Sequence, residues 1–184
     1  MPYIKTISDD EAEGIVKKNY ESSRKANGAN YSTERILSLW PKVQTMENRR
    51  YQAVMLDTSE LTRATKEMIG AAVSAANNCD YCVQHHVSMM VEAGVDPSTA
   101  WQVADDYTQA RVDERTQALL EFALTARPDL TNQTDVDKLK ALGISDREIL
   151  EAVVVAGFFR DYNLRVSILG LELEDWFHGV PRGK

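Results

Sequence analysis

Residues 77–86 of the chain read NNCDYCVQHH, from Asn77 to His86. This stretch holds both cysteines of the protein and two of its three histidines. An apolar core accepts thiols, but it does not readily accept so many titratable side chains in one short segment. Asn77 and Asn78 are residues that often interrupt helices, so the pattern predicts a helix from about Cys79 to Glu92. We therefore interpret the stretch as a reactive site at the start of a helix.

The length of 184 residues suits one domain with an appended arm. The hydrophobic fraction of 43% and the charged fraction of 27% are those of an ordinary globular protein, and 5 prolines with 9 glycines leave little room for long linkers. We interpret residues 1–184 as a single domain with an amino-terminal helical arm at 1–40, a core at 41–171 and a tail at 172–184.

The net charge of -7 argues against a nucleic-acid partner, because affinity for phosphate depends on clustered Lys and Arg. The longest apolar run, Ala152–Phe159, is far shorter than the roughly 18 residues of a membrane-spanning helix. The first residues, up to Lys5, are followed by acids rather than by the apolar core of a signal peptide. These features predict a soluble, cytoplasmic protein without a nucleic-acid or membrane partner.

Capping residues and helical periodicity recur along the chain and predict an all-α fold, a helical bundle. Thr62 is predicted to cap a helix that runs through Ala76, and a last helix is predicted to begin at Asp146. The segment Ile149–Phe159 is apolar nearly all round, which favours the buried centre of the domain or of an oligomer. No stretch shows the period-two alternation of a half-buried strand.

Two segments of the chain, 61–82 and 142–163, are similar to each other. Seven of their 22 aligned positions are identical. The match leaves open a pseudo-repeat of helical hairpins, and it also leaves open chance, because Ala and Val are common residues. Only the first segment has the cysteines, since Arg160 and Asn163 stand at the equivalent positions of the second.

Cys82 and His86 are four residues apart and are therefore neighbours on one helix face. A histidine at that distance can accept the thiol proton and leave the reactive thiolate. Cys79 and Cys82 both fall in the first turn, where the backbone N–H groups and the helix dipole favour a negative sulfur. Glu67 lies about as far before the Asn77–Asn78 break as His86 lies after it, so the two side chains are predicted to meet across an antiparallel helix pair.

Glu67, Cys79, Cys82 and His86 are separated by eleven, two and three residues. This Glu-x11-Cys-x2-Cys-x3-His pattern resembles the signature of the AhpD-like alkylhydroperoxidases, which belong to the carboxymuconolactone decarboxylase superfamily. The similarity extends from about Pro41 to Leu171. The length and the amino-terminal helices are most similar to the peroxidase-related branch, which implies an all-helical AhpD-like fold and assembly into a homotrimer or homohexamer.

The resemblance also implies a function, that of a thiol-dependent peroxidase or disulfide oxidoreductase of antioxidant defence. In that chemistry Cys82 attacks a hydroperoxide and becomes a sulfenic acid, and Cys79 resolves the acid as a disulfide. Glu67 and His86 relay protons. A thiol or a disulfide reductase donates the electrons, and neither a metal nor another cofactor is required.

The residues give conflicting indications of which sulfur attacks. The position nearest the helix start favours Cys79, as in thioredoxin-like motifs. His86, however, is one turn from Cys82 and two turns from Cys79, so only Cys82 has an adjacent base. We predict that Cys82 attacks and that Cys79 resolves.

The other residues near the motif have weaker functional signals. The well-studied hydroperoxidases have a histidine just before the second cysteine, where this chain has Tyr81. His85 matches no motif position and points about 100° away from His86 on a helix, so we expect it at the surface or in an oligomer contact. His178, near the end of the chain, is also expected at the surface.

Three alternatives use the same residues. Cys79, Cys82 and His86 are suitable zinc ligands, but a structural zinc site takes four, and the chain has no second Cys-x-x-Cys. A carboxymuconolactone-decarboxylase-like enzyme fits the superfamily, but its chemistry does not require a pair of thiols. A non-peroxidatic adaptor that only exchanges disulfides with a partner needs the same reactive sulfur, so the sequence does not distinguish it.

Exposed apolar surface is also expected. The apolar segment Ile149–Phe159 and the tryptophans Trp40, Trp101 and Trp176 exceed what one small core requires. We therefore predict a homo-oligomer.

Overall fold

The computed structural model describes residues 2–126, Asp129 and residues 131–182. Within those ranges the regular structure is entirely helical, with no β-strand. The predicted all-α fold is therefore confirmed. No helix in the described ranges combines the length and the apolar character needed to cross a membrane.

The helices follow the order predicted from caps and breakers. Their bounds are α1 Gly14–Asn27, α2 Ser32–Arg35, α3 Pro41–Tyr51 with a π-helical continuation Gln52–Leu56, α4 Arg63–Ala76, α5 Asp80–Glu92, α6 Pro97–Asp106 with a 3-10 turn Tyr107–Gln109, α7 Glu114–Thr125, α8 Gln133–Ala141 and α9 Asp146–Leu169. Thr62 caps α4 as predicted, since its hydroxyl accepts a hydrogen bond from the Thr65 amide at 3.1 Å.

The chain forms two compact units. The first consists of Met1–Asp57 and Leu164–Phe177. In it α1 packs on α3, and the Asn19 amide donates a hydrogen bond of 2.8 Å to Gln44. Because α3 belongs with α1, this unit extends beyond residue 40, where the sequence suggested that an amino-terminal arm would end.

The second unit consists of Thr58–Asn163 and His178–Lys184 and contains the whole Cys-x-x-Cys motif. Its central element is α4, which packs against α5, α6 and α7. Every residue of α4 from 66 to 74 is buried. A helix that is buried on all sides is apolar or has paired polar groups. The small side chains of α4 also allow the neighbouring helices to approach it closely.

The helix α9 has one buried and one exposed apolar face. Its inward residues are Ile149, Ala152, Val155, Ala156, Phe158 and Phe159. On the other face Leu150, Val153 and Val154 are 58%, 45% and 40% exposed. The expectation that this segment is the buried centre of the domain is therefore wrong for its outer face, and burial of that face in an oligomer stays a prediction.

The second half of the proposed repeat does not form a hairpin. The segment 61–82 contains the break between α4 and α5, whereas 142–163 runs into the continuous helix α9. The breaking residue is Asn78, which adopts a left-handed conformation with φ of 54°. Phe159 takes its place in the second segment. Asparagine tolerates that conformation better than a bulky residue does, so only the first segment turns.

Candidate active site

The break between α4 and α5 positions the first cysteine. After Asn78 the Cys79 amide donates a hydrogen bond of 2.9 Å to the carbonyl of Ser74, which closes the turn. Cys79 then occupies the N-cap of α5, and its carbonyl accepts the Val83 amide at 3.0 Å. The second cysteine, Cys82, follows in the first turn of the helix, as the sequence predicted.

Both cysteines are free thiols, and their residues are only 3% and 4% exposed. The pKa of the Cys82 thiol is raised above its ordinary value, mainly by its hydrogen bond to Cys79 and by burial. Hydrogen bonds from Asn163 and Ser74 act in the opposite direction. Two adjacent buried thiols do not ionise together, so the pair holds at most one negative charge near neutral pH.

Glu67 and His86 meet as the spacing of the motif predicts. The Oε2 atom of Glu67 lies 2.5 Å from Nδ1 of His86, and both residues are buried. Because the two residues are equally distant from the break, the contact also establishes that α4 and α5 are antiparallel. The imidazole and the Phe159 ring pack edge to face, with ring centroids 4.2 Å apart.

Gly70 allows the imidazole to lie against α4. A Cβ atom at this position would lie 2.6 Å from Cε1 and 2.8 Å from Nε2 of His86, closer than carbon and nitrogen atoms approach. Any other residue would displace the ring. Gly70 is the only glycine of α4, and the structure identifies His86 as the side chain that packs against it.

Arg63 is a member of the site that the sequence analysis missed. Its Nη2 atom is 2.6 Å from Oε1 of Glu67, one helical turn away on α4, although Oε1 has no partner with hydrogen-bond geometry in the described part of the chain. The Arg63 side chain is 30% exposed, so the ion pair connects the buried carboxylate to the surface. The sequence feature that could have predicted this ion pair is the four-residue spacing between Arg63 and Glu67 on one helix.

Ser74 and Asn163 were missed as well. The Asn163 side-chain amide donates a hydrogen bond to the Ser74 hydroxyl at 2.9 Å. The Asn77 side-chain amide donates one to Asn163 Oδ1 at 2.8 Å. Asn163 comes from α9, and it aligns with Cys82 in the internal similarity. The internal similarity pairs Asn163 with a cysteine of the motif, but similarity between two segments does not predict that their residues are in contact.

The described residues show no hydrogen bond between His86 and Cys82, and the ring nitrogen with a hydrogen-bond partner, Nδ1, faces Glu67. The structure therefore brings together Glu67 with His86 and Cys79 with Cys82 as two adjoining pairs. The predicted role of His86 as the base for Cys82 requires a bridging water or a movement of the ring.

Two expectations about neighbouring side chains are wrong. His85 was expected at the surface or in an oligomer contact, but it is buried within the single chain. Its ring lies 4.6 Å from that of Tyr81, one turn away on α5. Trp101 was expected to be exposed, but it is 5% exposed beneath Arg182, whose guanidinium carbon lies 4.1 Å from the ring centroid. His178 is exposed as predicted.

The described ranges contain no group of three or more His, Cys, Asp or Glu side chains arranged to hold a metal ion. Cys79, Cys82 and His86, the three ligands of the zinc alternative, do not form such a group, and the Nδ1 atom of His86 is directed toward Glu67.

Comparisons with known proteins show the family and the fold to which this chain is similar. A family model, described as the carboxymuconolactone decarboxylase family, matches residues 41–125. A structure of an AhpD core, an uncharacterized peroxidase-related protein from Ralstonia eutropha JMP134, is 25% identical with a TM-score of 0.88, and the match covers 96% of this chain and 94% of that one. No curated protein matches the sequence significantly.

Two further structures have the same fold. An uncharacterized peroxidase-related protein from Silicibacter sp. TM1040 is 25% identical over 97% of this chain and 96% of that one, with a TM-score of 0.85. The debrominase Bmp8 is 14% identical over 94% of this chain and 92% of its own, with a TM-score of 0.77. At that identity the likeness to the debrominase concerns the fold alone.

The chain thus has the fold of the AhpD-like, peroxidase-related proteins, and its residues 41–125 match the carboxymuconolactone decarboxylase family. The family and the peroxidase-related structures support an enzyme of the AhpD and carboxymuconolactone decarboxylase kind, with an antioxidant type of function.

Proposed function

We propose that the protein is a thiol-dependent peroxidase in which Cys82 is the attacking residue. The Cys82 thiolate attacks the outer oxygen of a hydroperoxide, the O–O bond breaks, and the alkoxide leaves as an alcohol after it takes up a proton. Cys82 is thereby oxidised to a sulfenic acid. The observation that supports this best is the buried, reduced thiol pair beside the buried Glu67–His86 pair.

Cys79 completes the cycle. Its sulfur attacks the sulfenic sulfur of Cys82, a disulfide forms, and the hydroxyl leaves as water after protonation. An external dithiol, or a disulfide reductase, then reduces the disulfide with two electrons and two protons and is itself oxidised. Cys79 lies near enough to Cys82 to be the main cause of the raised pKa of the Cys82 thiol, which supports this step.

Glu67 and His86 supply the protons in this proposal. Arg63 forms an ion pair with Glu67, and in this proposal the Glu67 carboxylate accepts a hydrogen bond from the Nδ1–H group of His86. The other nitrogen, Nε2, is then the one that exchanges a proton with Cys82 or with the leaving alkoxide. Reduced enzymes often lack the final catalytic hydrogen bonds before substrate binds, so the absent contact with Cys82 is compatible with this role.

The burial of both thiols favours a peroxide over a protein disulfide as the oxidant. A small hydroperoxide can approach a sulfur that is 3–4% exposed, whereas a disulfide on a folded partner must bring its own sulfur into line with it. We further propose that the protein works in the cytoplasm, as a homotrimer or homohexamer, where thiol donors are abundant.

The test is peroxide-dependent thiol oxidation followed by stopped flow, with hydrogen peroxide and an organic hydroperoxide, and turnover with a small dithiol. In Cys79→Ser, dimedone should label Cys82 after peroxide treatment, whereas Cys82→Ser should consume no peroxide. Labelling of Cys79 in Cys82→Ser would reverse the two roles. Disulfide exchange without any peroxide consumption would instead support the adaptor function.

A further inference from the structure

Four side chains link α4 to α5 next to the thiols. The Oε2 atom of Glu67 lies 2.5 Å from Nδ1 of His86, which joins the two helices at one level. One turn further from the break, Arg63 of α4 donates a hydrogen bond to Sδ of Met89 on α5 at 3.6 Å. The same nitrogen of Arg63, Nη2, lies 2.6 Å from Oε1 of Glu67. A single guanidinium nitrogen therefore contacts both helices of the pair.

Arg63 lies between the solvent and the buried carboxylate. The Arg63 side chain is 30% exposed and Met89 is half-buried, whereas Glu67 is fully buried. The two oxygens of Glu67 have different partners, since Oε1 faces Arg63 and Oε2 faces His86. A guanidinium has donors and no acceptor, so it engages Oε1 and leaves Oε2 to the imidazole.

We propose that Arg63 is a positioning residue for the imidazole of His86. It holds the Glu67 carboxylate so that Oε2 accepts the Nδ1–H group, and Nε2 carries no proton in the reduced protein. The proposal rests on the proposed peroxidase chemistry of the same site, in which Nε2 is the nitrogen that exchanges a proton. Arg63 acts through Glu67 and needs no contact with the thiols or with the substrate.

The apolar neighbours of the ring do not select one of its nitrogens. Gly70 of α4 and Phe159 of α9 fix where the imidazole lies, but neither offers a side-chain hydrogen bond. The tautomer of a histidine is set by the hydrogen bond that one of its nitrogens makes, which in this site is the contact with Glu67.

Loss of the guanidinium changes that contact. An ionised carboxylate that is buried without a cationic partner is costly, so without Arg63 the Glu67 side chain turns toward water or takes up a proton. Either change allows the ring proton of His86 to occupy Nε2. The nitrogen that the proposed chemistry requires as a base is then protonated in part of the molecules.

The test observes the ring nitrogens of His86 directly. Solid-state NMR of protein with nitrogen-15 in its histidine rings distinguishes protonated from unprotonated nitrogens in an assembly of any size. The chain has three histidines, and the spectrum of His86→Ala identifies the signals that belong to His86. At about pH 8, where an ordinary imidazole is neutral, the wild-type protein should show one tautomer, with its proton on Nδ1.

Arg63→Leu should show both tautomers of His86, and oxidation of Cys82 by peroxide should slow about tenfold because part of the general base is lost. Arg63→Lys should keep the wild-type tautomer. The contact with Oε1 is an ion pair without hydrogen-bond geometry, so an ammonium can supply the same charge. If Arg63→Leu does not fold by circular dichroism, Arg63→Met, whose stem is unbranched, takes its place with the same expected result.

Arg147→Leu is the matched control. Arg147 and Glu151 form an ion pair with the same spacing of four residues and the same distance of 2.6 Å, in the same unit of the chain. This pair lies on α9 and does not include the imidazole. Its loss should leave the tautomer of His86 and the rate of thiol oxidation unchanged.

A single Nδ1–H tautomer in Arg63→Leu, as in the wild type, would overturn the positioning role even if the variant were less stable. A protonated Nε2 in the wild-type protein would overturn it as well. The outcome is separate from peroxidase activity. If the tautomers mix in Arg63→Leu but the wild-type protein consumes no peroxide, the positioning role is supported and the peroxidase function is refuted.

Discussion

At the scale of single residues, the position of the His86 imidazole depends on a glycine. Gly70 has no side chain, and the imidazole occupies the space where a Cβ atom would be. A methyl group there forces the ring away from α4 and breaks the 2.5 Å contact with Glu67. Gly70 is therefore as necessary to the Glu67–His86 pair as the charged residues are.

We expect Gly70→Ala to lower the free energy of unfolding by about 1 to 3 kcal/mol, although alanine is the better helix former, because overpacking in a buried site outweighs propensity. Urea denaturation measures the effect. Thiol oxidation by peroxide should slow in the same variant, because the ring that exchanges protons has moved.

A double-mutant cycle provides the control for this prediction. In a His86→Ala background the clashing ring is gone, so Gly70→Ala should there be neutral or stabilising. If Gly70→Ala has the same cost with and without the imidazole, its effect comes from the backbone of α4, and our explanation is wrong.

At the scale of secondary structure, the break between α4 and α5 determines where the thiols lie. Ala76 ends α4, Asn78 adopts the left-handed conformation, and Cys79 begins α5 as its N-cap residue. Without the break the two helices would continue as one, as α9 does at the equivalent positions. Glu67 and His86 would then be about 28 Å apart along a single axis, at the usual rise of about 1.5 Å per residue.

We expect Asn78→Val to lower the free energy of unfolding by about 1 to 2 kcal/mol, because a β-branched residue is strained at positive φ. Asn78→Gly is the matched control and should be neutral or slightly stabilising. Asn78 is exposed, so neither change removes a buried contact. Equal stability of the two variants in urea would show that the turn does not require this conformation.

At the scale of the whole molecule, the main feature is the exposed apolar face of α9, which packing within a single chain does not explain. Leu150, Val153 and Val154 are each at least 40% exposed and lie on one side of the helix. Contiguous exposed apolar surface commonly marks a contact between proteins. This face is the surface on which we base the predicted homo-oligomer.

We expect light scattering at micromolar concentration to give three or six times the mass of one chain, and Val153→Glu to dissociate the assembly. A charge buried in an apolar interface is costly, whereas the same charge at the surface is not. Gln109→Glu adds the same negative charge at an exposed site outside α9 and is the control. It should leave the mass of the assembly unchanged. A monomeric wild-type protein would exclude the oligomer.

The sequence alone determined the helical class, most helix boundaries and the composition of the thiol site. These properties are local, because a cap such as Thr62, a breaker such as Asn78 and a face such as that of Cys82 and His86 act within a few residues. The meeting of Glu67 with His86 was also predictable, since two helices joined by a short break must run antiparallel.

Only the tertiary structure decided which distant side chains complete the site. Asn163 of α9 donates a hydrogen bond to Ser74, and Phe159 packs on His86, although the sequence placed both in the second half of a supposed hairpin repeat. The burial of His85 was likewise not predictable. Periodicity shows which face of a helix is apolar, but it does not identify the residues that cover that face, because packing between elements depends on shape and distance in three dimensions.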